Sequence, residues 1–357
     1  FHAMAYRWFD SAMAWDELYS LVQHQVTEGD DAGMIPHMAY WQGGGEEIWD
    51  VPDRSIITQP PLIAATAWLV HEKHPNRVAL AELYSHLVAY QEWFDRRRDL
   101  DGDHLVTLIH PWESGWDASP RWDTAMGLEQ PTANESKEAR HALVQILREH
   151  DCNAQTLRSA GSFAVKASDF NAIRAADCEA MSRIAAVLQL EDAGRWQQKA
   201  RQIQQSVQAK CLHHDVKYWI AHDLSGVEEK AVSPDSAAKF VLLYGGCATL
   251  QQADALHADL LSPRYFTNFP VPTTPQDSPV FDGDTYWRGN VWLAVNWLIV
   301  RGLHRYQFTD TASIIGDRSL QLVEQAGFHE YFNPLTGTGY GPAQQSWSTI
   351  VIDFIPA

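Results

Sequence analysis

Residues 110–123 read HPWESGWDASPRWD, and the fold follows from what this stretch cannot be. Gly115 and Pro120 interrupt any helix across it. Three indoles (Trp112, Trp116, Trp122), three carboxylates (Glu113, Asp117, Asp123) and the Arg121 guanidinium crowd the same fourteen positions. Burying those charges needs partners and burying the indoles needs apolar neighbours, so the stretch is a shaped loop and not a packed element. It belongs to a set of long loops rich in Gly, Pro and Trp, at 29–59, 99–133, 262–287 and 328–343. Helical spacing of apolar residues recurs around them, over roughly 1–28, 60–74, 77–98, 134–151, 169–190, 192–212, 234–245, 249–261, 288–306, 309–327 and 344–355.

Local signals support these boundaries. Pro60-Pro61 opens one helix at its first turn, where proline is tolerated. Arg96, Arg97 and Arg98 close the next at its C-terminal end, as the macrodipole prefers. Ser168 or Asp169 is an N-cap candidate for a third. Strand signals are few, LVTLI at 105–109 and WIAHD at 219–223.

Paired helices joined alternately by short turns and long loops predict an all-α fold, an (α/α)6 barrel or toroid. Its long loops and few short strands would form the active-site face. A complete barrel of that kind has twelve helices, and roughly ten or eleven are readable here. An elongated solenoid would need a constant repeat of roughly 34–47 residues, which the chain lacks. The expectation is a single catalytic domain over 1–357. The chain opens mid-helix without a capping residue, so a natural N-terminal segment is expected to precede it.

Composition excludes several functions. A net charge of −18 argues against nucleic acid, which needs clustered Lys and Arg, and against anionic membrane surfaces. No apolar run is long enough to span a membrane. Cys152, Cys178, Cys211 and Cys247 are far apart with no CxxC pair, as expected of reduced thiols in a cytoplasmic protein. RDLDGDHL (98–105) spaces Asp99, Asp101 and Asp103 like a calcium loop, but His110 stands where the bidentate Glu belongs, so a Gly-containing turn is the reading. His213-His214 has no further ligand pattern, and neither metal nor cofactor is called for.

Indoles beside carboxylates in loops suit a sugar site. A flat indole stacks on the apolar face of a pyranose, while carboxylate and guanidinium groups take the hydroxyls. A carboxyl held against such indoles is partly desolvated, and so keeps the proton a general acid needs. The fifteen Trp of the chain supply more such faces, including Trp41 and Trp347 in or beside other loops. DGDTYWRGNVW (282–292) adds Tyr286, Trp287 and Trp292, with Gly289 permitting close backbone approach; FHEYFNPLTG (328–337) sets Glu330 and Tyr331 before an Asn-Pro turn.

Glycoside hydrolysis needs two carboxyl groups, one to protonate the leaving oxygen and one to activate water or attack. Glu46, Glu47, Glu113, Asp117, Asp123, Asp282, Asp284 and Glu330 are all eligible on residue type alone. His37 and His110 adjoin the motif loops and are read as sugar-hydroxyl ligands or as structurally satisfied neutral imidazoles.

ESGWD-S-RWD (113–123), ITQPPL (57–62), YWRGNVW (286–292) and EYFNPLTG (330–337) together resemble glycoside hydrolase family 63. The resemblance runs over nearly the whole chain, with kinship to trehalases, and is greatest to bacterial mannosylglycerate and glucosylglycerate hydrolases. It implies an (α/α)6 barrel and inversion at the anomeric carbon. It also implies Asp117 as general acid and Glu330 as general base, about 6.5–9.5 Å apart. Residues Gln59, Trp116, Arg121, Tyr286, Trp287 and Trp292 match positions that shape the sugar subsite in the family. With Trp41, Trp112, Glu113, Gly289 and Trp347 they make the expected substrate-binding set.

A substrate bearing a glycerate carboxylate would need a cation, for which Arg121, Lys166 and Arg54 are candidates. The expected partner is a small α-glucosyl or α-mannosyl compound; a homo-oligomer is left open. The rivals are a trehalase-like α-glucosidase, a sugar epimerase and a non-catalytic sugar-binding toroid.

Overall fold

The structure, a computed structural model, describes residues 1–211, 222–223, 230–231 and 234–355. Six elements close an inner ring by packing each against the next: His2–Tyr6, Ile63–Lys73, Ser168–Leu188, Val241–Tyr244, Leu293–Arg305 and the 3-10 segment Ser346–Phe354, which returns to the first. Five outer helices cover them, Ser11–Gln23, Arg77–Arg97, Ala193–Lys210, Leu250–Leu260 and Thr309–Ala326. This is the α/α toroid.

Burial separates the two layers. The inner helix Leu293–Arg305 is buried continuously from Leu293 to Val300, as an element packed on all sides must be. The outer Arg77–Arg97 buries one stripe, including Leu80, Leu83, Leu87 and Phe94. Asp353 joins the ends of the ring, accepting both oxygens' worth of hydrogen bonds from Arg7 at 2.7 Å and one from Trp297 Nε1 at 2.7 Å.

Several sequence boundaries move. The first helical stretch is two helices, because Asp10 caps the second by accepting the Met13 N–H. The helix Ala133–Glu149 lies outside the ring, against Glu46–Trp49 and a small second core of Ile57, Ile109, Val144, Leu147 and Leu157. The helix expected from 288 begins at Leu293, and the last element is 3-10 throughout.

LVTLI is not a strand; only Leu108 pairs, with Val165. Val165–Lys166 is the strand, antiparallel to His222–Asp223. The rest of WIAHD, and His213-His214, lie outside the described residues. Lys166 explains the aspartate loop, since its ammonium lies 2.5 Å from Asp101 and 2.6 Å from Asp103. Among the described residues no helix is long and apolar enough to cross a membrane, and all four cysteines are buried.

Candidate active site

A cavity of about 420 Å³ opens at the loop end of the inner ring. Asp117, Trp116 and Gln59 line it from one side, with Tyr286, Trp287, Trp292 and Trp347 from the other. The 110–123 loop reaches it through short 3-10 turns. Pro111 and Pro120 start two of them, and Gly115 ends the first in the left-handed region (φ 74°) that a side chain resists. Trp122 anchors the loop, its Nε1 donating to the Trp116 carbonyl at 2.9 Å.

Asp117 is the only one of the eight eligible carboxylates among these lining residues. Among the described residues its side-chain hydrogen-bond partner is the Tyr286 hydroxyl, which donates at 3.3 Å. Burial pushes its pKa up to about 6, outweighing the Tyr286 hydrogen bond and the attraction of Arg140; the negative charge of Glu330 adds to the rise. Glu330, whose charge thus acts on Asp117, immediately precedes the separate hairpin Tyr331–Phe332/Gly339–Tyr340. It is half-buried, and desolvation raises its own pKa. Gly341 (φ 70°) faces it, where a Cβ would collide with the Glu330 carboxyl oxygen.

Other expected site residues have different positions. Glu113 is fully buried, gripped by Arg98 at 2.7 and 2.9 Å and by the N–H groups of Ile109 and Thr58. Both its oxygens are occupied, so it shapes the loop and does not reach a ligand. Arg121 is likewise occupied, forming a fork to Asp169 at 2.9 and 2.8 Å between the faces of Trp116 and Trp122. Asp169 therefore does not cap its helix.

Trp112 packs on Trp49 and His141 behind the cavity wall, Trp41 is 66% exposed against His24, and Gly289 abuts the Phe281 ring. Glu46, Glu47, Asp282 and Asp284 are exposed. His110 is a satisfied neutral imidazole; Nδ1 accepts from Trp112, Nε2 faces the Arg140 carbonyl, and burial lowers its pKa to about 3. His37 does line the cavity, with a pKa lowered by burial to about 4.

None of the three cations expected for a substrate carboxylate reaches the cavity. Arg121 and Lys166 are paired as described, and Arg54 pairs with its neighbour Asp53. Arg140 is not a lining residue either, but its charge acts on Asp117. It is buried, near enough to Asp117 to lower that group's pKa, and bonded through Nη1 to Ser136. Asp123 accepts from Ser136 and from Arg288, so one carboxylate serves two guanidiniums. Arg288 Nη1 is buried without a partner among the described residues. The sequence signal for Arg140 was a charge on the buried stripe of its helix, with Ser136, Leu143, Val144 and Leu147.

Residues 1–348 match the family described as the mannosylglycerate hydrolase MGH1-like glycoside hydrolase domain. Mannosylglycerate hydrolase of Thermus thermophilus is 28% identical, over 99% of this chain and 92% of that one. Glucosylglycerate hydrolase of Mycolicibacterium hassiacum is 27% identical, over 90% and 82%. A crystal structure of the family 63 mannosylglycerate hydrolase from Thermus thermophilus, with Tris and D-glycerate, superposes with a TM-score of 0.88 at 27% identity, over 99% of this chain and 91% of that one.

Proposed function

Because the chain belongs to the mannosylglycerate hydrolase MGH1-like family and is a glycoside hydrolase of family 63 type, we propose that it cleaves a small α-glycoside whose aglycone carries a carboxylate. Mannosylglycerate and glucosylglycerate are the substrates of choice. The observation that carries this reading is the buried Arg140, near enough to Asp117 to act on its pKa and hydrogen-bonded through Nη1 to the Ser136 hydroxyl, with Arg288 on Asp123 beside it. A glycerate carboxylate would give Arg140 an anionic partner, and a guanidinium suits it as a bidentate one.

In this reading Asp117, protonated, gives its proton to the glycosidic oxygen as the bond to the anomeric carbon breaks. Glu330, ionised, takes a proton from the water that attacks the opposite face, so the sugar leaves with inverted configuration. The raised pKa of Asp117 keeps the acid loaded near pH 6. The indole and phenol faces of Trp116, Tyr286, Trp287 and Trp292 hold the pyranose, and Gln59 offers its amide.

The test is to incubate the protein with mannosylglycerate, glucosylglycerate, trehalose, kojibiose and maltose, and follow release by proton NMR. The β-anomer should appear first, from a glycerate glycoside. Arg140→Leu should raise KM for that substrate by roughly 10–100-fold while leaving its methyl ester within a few-fold. Hydrolysis of the neutral disaccharides alone, or equal loss on acid and ester, would sink the carboxylate reading.

A further inference from the structure

Two carboxyl groups that work as a pair must be held at a set separation, yet Asp117 and Glu330 stand on chain segments more than two hundred residues apart. Their sequence neighbours are joined by a continuous stack of rings. Trp116, beside Asp117, lies 5.3 Å from Trp287, centroid to centroid and inclined by 26°. Trp287 lies 3.7 Å from Trp292 at 6°, and Trp292 lies 5.0 Å from Tyr331 at 20°. Tyr331, beside Glu330, continues to Tyr340 across the hairpin at 5.7 Å. Tyr286, whose hydroxyl holds Asp117, sets its edge against Trp287, Trp292 and Tyr331.

The main chain secures only part of the hairpin. Phe332 exchanges both backbone hydrogen bonds with Val291, at 2.8 and 2.9 Å. Glu330 is two residues farther out; its N–H donates to the Tyr340 carbonyl, and the Phe328 and His329 carbonyls before it accept from the Gln345 N–H and the Ser348 hydroxyl. The ring of Tyr331 packs this outer end against the Trp292 wall. Tyr331 is not among the residues lining the cavity, and its ring packs on Trp292, Tyr286 and Tyr340.

We propose that Tyr331 is a positioning residue, the rung that fixes the Glu330 carboxylate relative to Asp117 through the ring stack. The proposal rests on the reading of Asp117 and Glu330 as acid and base. Offset stacking resists sliding as well as separation, and a misplacement near 1 Å in such a site costs on the order of 100-fold in rate.

The experiment compares Tyr331→Phe, which keeps the ring, with Tyr331→Leu, which removes it; Tyr331→Met serves should the leucine variant not fold. Loss of the ring should lower kcat by roughly 10–100-fold with KM within about threefold, and the phenylalanine variant should stay within about threefold of the parent. A substrate-free readout accompanies this, ¹³C NMR titration of the Asp117 carboxyl. Glu330→Gln should lower its pKa by removing a neighbouring negative charge, and Tyr331→Leu should reproduce most of that change.

Should Tyr331→Leu lower only the melting temperature, with kcat and the Asp117 titration unmoved, the proposal is overturned. It is equally overturned if Tyr331→Phe behaves like Tyr331→Leu, or if Glu330→Gln leaves Asp117 unmoved. Absence of hydrolysis by the parent protein would instead strike the proposed function, and the titration would still judge the stack.

Discussion

Glu113 and Asp117 stand four positions apart in one loop and have opposite surroundings. At the Glu113 end, two guanidinium nitrogens and two backbone N–H groups converge on a carboxylate without solvent access. At the Asp117 end, the Tyr286 hydroxyl is the side-chain donor among the described residues, and the cavity begins. A carboxylate surrounded by donors is a strut; one left short of them holds its proton. Within this loop, under-satisfaction is what separates the carboxyl proposed as the acid from the one that shapes the loop.

The same conservative change at each end should therefore do opposite things. Asp117→Asn removes the proposed acid and should lower kcat by about 1,000-fold or more on a glycerate glycoside, in steady-state assays, with the fold retained. An Asp117→Asn enzyme with near-parental turnover would end the assignment. Glu113→Gln should instead destabilise, by roughly 3–5 kcal/mol, because Arg98 is left buried and unpaired; denaturant melts measure it.

The pH dependence sharpens the contrast. Because its folded-state pKa is raised, Asp117 contributes stability that is complete below its unfolded value near 3.8 and is lost as pH rises through about 6. Asp117→Asn, always neutral, should melt a few degrees above the parent at pH 7.5 and level with it near pH 4. Scanning calorimetry at the two pH values decides this, and a variant melting below the parent at pH 7.5 would contradict the reading.

The smallest effect concerns Tyr286. Its hydroxyl favours the ionised form of Asp117, so Tyr286→Phe should raise the pKa of the acid. The alkaline limb of kcat/KM, which falls as the acid deprotonates above about pH 6, should move upward by roughly half a pH unit.

Much of this was legible in the chain. The alternation of helices with Trp-rich loops specified the toroid, since amphipathic periodicity is local and survives without tertiary information. Even the near-correct helix count has an instructive origin. Ala133–Glu149 is not in the ring, and the stretch before Gln25 holds two elements where one was read. The Asp10 cap was the missed local signal. Asp117 was one of eight eligible carboxylates on residue type, and only the family resemblance singled it out as the acid candidate.

Charge pairing was not legible. Arg121 and Lys166 looked free as sequence, and each is matched by a carboxylate from another segment, Asp169 for one, Asp101 and Asp103 for the other. Arg140 looked like one polar residue in a polar helix, and the fold buries it within electrostatic reach of Asp117 and Asp123, bonded to Ser136. The sequence by itself determined the helical layers, the irregular loops and the residue types gathered in them, because backbone preference and hydrophobic periodicity act over a few residues. Only the tertiary structure decided which charges are neutralised and which are left to meet a substrate, because a salt bridge depends on distance in space, and distance in space is what folding sets.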